Sequence, residues 1–205
     1  MTIRKRSSTI NLARMRKSFA LKPLALGVAS IFLTACSDDR KEGIIYTSLD
    51  ECLGNNPASG ADACKSAYQE ALDEANRTGP KFGSEYDCEY EFGPNQCRTV
   101  NTSSGSFFMP FMAGYMVSNL LSPSRYYTQP MFTSYSRHSP FRSRWVMSDG
   151  YVFGGDIRDR RYRVKDSTYT KKPAVTRTMK RGGFGSSVRA KSNWGSSSRK
   201  SSWGG

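Results

Sequence analysis

The chain has 205 residues, with 31 basic against 17 acidic side chains and a formal charge of +14 at pH 7. It holds no C-x-x-C pair, its cysteine separations are irregular, and no apolar run reaches the roughly 20 residues of a membrane-spanning helix, which argues against a zinc centre and a spanning helix. A P-loop, a dinucleotide fingerprint in strand–turn–helix context and nucleophile-elbow glycines are likewise missing, so neither cofactors nor metal are expected.

Arg4, Lys5, Arg6, Arg14, Arg16, Lys17 and Lys22 precede the first acid, Asp38. Residues 24–33 then form an apolar run with the length and character of a signal-peptide core. It closes on Leu33-Thr34-Ala35-Cys36, which resembles the lipobox of bacterial lipoproteins: an aliphatic residue, two small residues and the cysteine that is lipidated. The resemblance implies a signal peptide over 1–35 and a mature protein that starts at acylated Cys36, the lipidation site. Met15-Arg16-Lys17 would by itself begin a leader of ordinary length, so both Met1 and Met15 stand as starts. An uncleaved signal anchor, or a chance cysteine at the end of an apolar run, is the competing reading. Each buried methylene contributes about 0.8 kcal/mol, so one acyl chain anchors marginally, whereas the two or three carried by bacterial lipoproteins anchor stably. Ser37 follows the cysteine and aspartate comes only at Asp38, which by the lipoprotein sorting rule favours the outer over the inner membrane.

Charge is segregated beyond the leader. Residues 37–100 carry 13 acids and 6 bases, whereas residues 155–205 carry 14 bases and 3 acids. A basic tail of this kind points to an anionic partner. For an exported protein the candidates are lipopolysaccharide, phospholipid or cell wall, and no nucleic acid is expected.

Four further cysteines, Cys52, Cys64, Cys88 and Cys97, imply two disulfides in an exported chain. Ser48-Leu49-Asp50-Glu51-Cys52 and Ser84-Glu85-Tyr86-Asp87-Cys88 repeat one capping pattern, and a glycine and then a second cysteine come after each. The pattern predicts two short helical turns, each stapled to the segment C-terminal to it, hence Cys52 to Cys64 and Cys88 to Cys97. Between them a helix is expected over about 60–77, capped by Ser59 with Asp62 and ended by Gly79-Pro80. Its apolar stripe is Cys64, Ala67, Tyr68, Ala71, Leu72 and Ala75, and Asp73 with Arg77 is an i, i+4 ion pair.

Residues 104–121 are the most apolar stretch of the mature chain, interrupted by Pro110 and Gly114. They read as a helix packed on the cysteine module, with a membrane-surface segment or a Met-rich partner patch as alternatives. From 122 apolar periodicity is lost, with short strands expected only near Trp145-Val146-Met147 and Tyr151-Val152-Phe153. The Gly/Ser/Arg/Lys-rich end, with isolated Phe184, Trp194 and Trp203, is expected to be disordered.

Several features together resemble the YgiB family of bacterial lipoproteins. They are the lipobox, the cysteine spacing with Pro80-Lys81 between its halves, Ser103-Ser104-Gly105-Ser106-Phe107, Met109-Pro110, Met112-Ala113-Gly114-Tyr115-Met116 and Arg181-Gly182-Gly183-Phe184-Gly185. The resemblance covers most of 30–120 and part of the tail. It implies an uncharacterised envelope lipoprotein and no catalytic residue. Members are often encoded beside an enzyme that resembles glutathionylspermidine synthase.

The single histidine, His138, sits in the loop-like run Ser136-Arg137-His138-Ser139-Pro140, and Glu85, Asp87, Glu89 and Glu91 read as a solvated face. The expected protein is therefore mainly α and not an enzyme. Its parts are a leader (1–35), a lipid-anchored four-cysteine helical module (36–100), an apolar segment (101–121) and a basic, largely disordered tail (122–205). The alternatives are a periplasmic enzyme with its site in 100–154, and a cytoplasmic nucleic-acid-binding protein with a false leader.

Overall fold

A computed structural model of the chain describes residues 40–56, 60–103, 105–118 and 127–196. The leader, Cys36, Ser59, Leu120, Leu121 and Trp203 lie outside the described residues. Strand β1 (Arg40–Tyr46) leads into helices α1 (Leu49–Asn55), α2 (Ala61–Thr78) and α3 (Glu85–Phe92). Strands β2 (Cys97–Thr102), β3 (Gly105–Pro110), β4 (Gly114–Ser118), β5 (Tyr127–Phe132), β6 (Val146–Met147) and β7 (Arg161–Lys165) come next. A 3-10 turn (Asp166–Tyr169) and helix α4 (Gly183–Ser196) complete the described chain.

The capping serines do what their sequence pattern requires. Ser48 Oγ accepts from the Glu51 N–H at 3.1 Å and starts α1; Ser84 Oγ accepts from Asp87 N–H at 3.2 Å and starts α3. The Glu51 carboxylate reaches back one residue further than a capping box needs, to the N–H and hydroxyl of Thr47, both at 2.6 Å. The disulfides join Cys52 to Cys64 and Cys88 to Cys97, the pairs that the repeated units point to. Helix α2 begins at Gly60 with no side-chain cap and buries Cys64, Ala67, Ala71 and Ala75. The expected Asp73–Arg77 pair does not form: Arg77 binds Glu74 at 2.6 Å, and Asp73 accepts from Gln69 at 3.3 Å.

The protein is not mainly α. It is built on a curled, five-stranded antiparallel sheet, a half-barrel of order β6-β5-β4-β1-β7, with a separate β2-β3 hairpin. Residues 105–118, expected as a helix, supply β3 and β4. Pro110 and Gly114 bound the two strands rather than kink a helix. The reason is burial on both faces. Every residue of β4 is buried. Tyr115 and Val117 pack with Cys52, Cys64, Ala67 and Ala71 beneath the helices. Met116 points the other way, into the half-barrel, with Ile45, Met131, Trp145 and Met147. A strand covered on both sides loses its alternation and reads as a continuous apolar run.

The tail is corrected in the same way, because residues 127–196 are folded rather than disordered. Strand β7 pairs with β1 from Arg40↔Lys165 to Ile44↔Arg161, across about 120 residues of chain. The segment after the 3-10 turn crosses the end of α2: Val175 N–H donates to Arg77 O, and Lys81 Nζ donates to Val175 O at 2.7 Å. Phe184 and Val188 then enter a core with Phe82, Phe92, Phe132 and Phe141. Phe184 and Val188 are isolated in sequence, but Phe82 and Phe92 from the front of the chain and Phe132 and Phe141 from its middle supply their partners. Residues near Trp145 and Tyr151 do pair, through Val146↔Val152. Gly150, at φ +86°, closes that turn.

Glycine is required inside the sheet as well. A Cβ on Gly43 would lie 2.5 Å from the Tyr169 hydroxyl and 2.8 Å from Met116 Sδ, so a side chain here would displace the side chains that seat the 3-10 turn against β1.

Candidate functional site

The two edges of the half-barrel face each other across a cleft of about 500 Å³. One wall is the turn after β6, with Met147, Asp149, Tyr151 and Phe153; the other is β7, with Tyr162, Arg163, Val164 and Lys165. Arg40, Ser167, Thr168 and Lys172 complete the lining. The floor is aromatic: Phe153 lies 5.0 Å from Tyr151 and 4.8 Å from Tyr162, ring centroid to centroid.

Strand alternation splits the residues of the β7 wall between two faces. Arg40 and Lys165 are directly opposed in the β1–β7 ladder, so their side chains emerge on one face, together with Glu42 and Arg163. Residues of the opposite parity, Gly43, Ile45, Tyr162 and Val164, turn toward the half-barrel interior. Arg40, Arg163, Lys165 and Lys172 are the cations among the cleft's lining residues, against one carboxylate, Asp149. That carboxylate stands 2.9 Å from Lys191 and 3.6 Å from Lys172. Burial works against its charge, but the Lys191 hydrogen bond, the Tyr151 N–H and the Lys172 charge outweigh it and hold the carboxyl below its ordinary range. A cleft with aromatic walls and a surplus of Arg and Lys suits a planar or phosphate-like anion with an apolar part. No imidazole lines it.

His138 lies elsewhere, stacked on Tyr90 at 4.6 Å and nearly parallel. Among the described residues no group of three His, Cys, Asp or Glu is placed to hold a metal, and no helix is long and apolar enough to cross a membrane. The supposed solvated acids separate. Glu85 is exposed, but Glu91 is only 3% exposed. Its carboxylate accepts from the Phe184 and Gly185 N–H groups at 3.1 and 2.7 Å, at the start of α4. Sequence reading missed this residue. The signal was the glycine-rich run Gly182-Gly183-Phe184-Gly185, which leaves backbone N–H groups open to a carboxylate. The cleft was missed too, because its walls come from strands paired over long sequence distances. Asp149-Gly150 between two apolar triplets was the local signal for its turn.

The family described as "Protein of unknown function (DUF1190)" matches residues 40–195. A UPF0441 protein of Klebsiella pneumoniae subsp. pneumoniae is 36% identical over 98% of this chain and 100% of the relative. One of Yersinia pestis bv. Antiqua is 37% identical over 97% of this chain and 96% of the relative, and one of Erwinia tasmaniensis 39% over 92% of each. No solved structure matches the chain. A match across the described fold, with relatives covering nearly the full length, places the chain in this uncharacterised, YgiB-like bacterial family.

Proposed function

We propose that the protein is a non-catalytic cell-envelope lipoprotein, anchored through acylated Cys36, that holds an anionic group of the envelope in the cleft between the half-barrel edges. The outer membrane is the favoured site. The observation that carries the reading is the cleft's lining, four cations and an aromatic floor with a single carboxylate. The lipobox supports export, and two disulfides suit an oxidising compartment. Lipopolysaccharide phosphates, anionic phospholipid and cell-wall polymer all supply such a group. Near a negative surface each Lys or Arg contributes on the order of 1 kcal/mol, weakened by salt.

Two measurements test it. Intact-mass analysis of protein purified from membranes reads out cleavage, acylation and disulfides together; an uncut, unacylated chain sinks the anchor. Binding of the full-length protein to anionic vesicles should weaken with salt and drop severalfold in Arg163→Glu/Lys165→Glu. Equal binding by that variant, or equal binding to neutral vesicles, rules out the cleft.

A further inference from the structure

The sheet begins four residues after Cys36, and its first residue, Arg40, itself lines the cationic cleft. Only Ser37, Asp38 and Asp39 stand between them. Covalent geometry limits the reach of so short a link: four residues of chain span at most about 14 Å, whatever path they take. An acyl anchor on Cys36 therefore keeps the nearest cation of the cleft beside the headgroup layer. Basic groups this close to an anionic leaflet are drawn to it by its surface potential.

The charge at this end of the sheet is biased toward cations. Arg40, Arg163 and Lys165 emerge on one face of the β1–β7 ladder, and all three are exposed. The acids around them are already engaged. Asp149 is held by Lys191 at 2.9 Å and Lys172 at 3.6 Å, Asp166 by Lys41 at 3.1 Å, and Glu42 by Arg161 at 3.1 Å. Asp38 and Asp39 in the link offset part of the surplus. On the opposite wall Tyr151 is half exposed. A tyrosine has an apolar body and a polar tip, which suits the boundary between headgroups and acyl chains.

We propose that the anion in the cleft is a phospholipid headgroup of the same membrane that holds Cys36, so that the molecule stands with its β7 edge against the bilayer. This rests on the reading of the cleft given above and commits to one of its three sources. The short link is the reason for the choice. It presents the cleft to headgroups at a high effective concentration, whereas a cell-wall polymer must reach a cleft already tied to the bilayer. Arg40, Arg163 and Lys165 bind the phosphate, and the Tyr151 ring rests among the headgroups.

The test places the full-length, acylated protein in vesicles of phosphatidylglycerol and phosphatidylcholine in equal parts, and in vesicles of phosphatidylcholine alone, and follows amide hydrogen exchange. Exchange in residues 150–154 and 162–168 should be about fivefold slower on the anionic vesicles, with the difference lost at high salt and none in α2. Arg163→Glu/Lys165→Glu should abolish the difference; both side chains are exposed, and unchanged exchange in β4 shows that the fold persists. An insertion of about 20 Gly/Ser residues between Asp39 and Arg40 should reduce the difference severalfold, because effective concentration falls as a tether lengthens. Equal exchange on the two vesicles, an undiminished difference in the charge-reversed or the long-tether variant, or protection of α2 in place of the cleft would each overturn the proposal. Failure of this inference alone has its own signature: added cell-wall fragments or lipopolysaccharide slow exchange in the cleft of wild type, but not of Arg163→Glu/Lys165→Glu, where the vesicles do not. If no anion slows it, the reading of the cleft falls as well.

Discussion

The cysteine-bearing front of the chain and the basic region beyond 127 are held by different means. In the front part the staples are local and covalent: bridges that span 12 and 9 residues, and serine caps that bind three residues on. Beyond 127 there is no cysteine to bridge, and the serines that cap turns among the described residues, Ser134, Ser136 and Ser139, each bind only two residues on. The order of this part comes from surfaces that the front part provides: β1 as a ladder for β7, the end of α2 as a rail for 172–179, and Glu91 as an acceptor for the first N–H groups of α4. Composition therefore diagnoses disorder only when no partner surface exists elsewhere in the chain. Few apolar residues suffice when each enters a prepared site, because the ordering entropy is then offset by contacts that local composition does not report.

The greatest expected effect comes from breaking the residue that joins the two regions. Phe92 on α3 is fully buried and packs against Phe132, Phe141 and Phe184. Phe92→Ala should cost about 3–5 kcal/mol and loosen both regions in one transition, as read by chemical denaturation with probes in each. Loss confined to the front part would mean that the regions fold independently.

Next come the staples. Reduction of each bridge should cost about 2–4 kcal/mol, and the loss should spread to the C-terminal part, whose sites the front part builds. Cys88→Ala/Cys97→Ala should weaken α4 more than Cys52→Ala/Cys64→Ala does, because Cys88 lies in the same core as Phe184. Hydrogen exchange of residues 184–192 checks the order of the two effects.

Glu91 is the sharper probe of the C-terminal part alone. Glu91→Leu leaves the Phe184 and Gly185 N–H groups buried without an acceptor, at a cost of about 1–3 kcal/mol. Fraying should begin at α4 and leave α1 and α2 protected. The pH dependence has a defined sign. Burial, the largest influence, outweighs the N–H bonds from Gly185, Phe184 and Gly182 and the charge of Arg189, so the carboxyl is raised above 4.5. The folded protein thus holds this proton more firmly than the unfolded chain. The associated stability is complete below the unfolded value and is lost as pH rises through the folded one. The difference between wild-type and Glu91→Leu stability curves should fall with pH across that window; a rise would show that the N–H bonds dominate.

The smallest effect is expected at Tyr115, whose buried hydroxyl lacks a partner and whose acidity is suppressed chiefly by desolvation. Tyr115→Phe should be neutral or stabilise by up to about 1 kcal/mol, since it removes an unsatisfied polar atom without changing the ring packing on Tyr46 and Tyr68. A loss above that would reveal a hydrogen bond to the hydroxyl.

Legibility tracked the range of the interaction. The helix over 61–78, both serine caps and both cysteine pairs stand on signals within about a dozen residues, and these could be read. The Asp73–Arg77 pair was also local, yet Arg77 took Glu74 and the Lys172 carbonyl at 2.5 Å, a tertiary acceptor that reorients the guanidinium. Strand β4 was misread because two-sided burial erased its period. His138 was read as a loop residue and does lie between turns, but its stacking on Tyr90 had no sequence signal.

By itself the sequence determined the covalent frame, the capped helices, the segregation of charge and the leader-like start, because each depends on neighbours close along the chain. Only the tertiary structure decided that the basic region folds, that β1 is interior to the sheet, and that cations from 40 and 163–172 share one cleft. Those outcomes rest on antiparallel pairing across more than a hundred residues, where register is set by burial on the finished sheet and not by any local pattern.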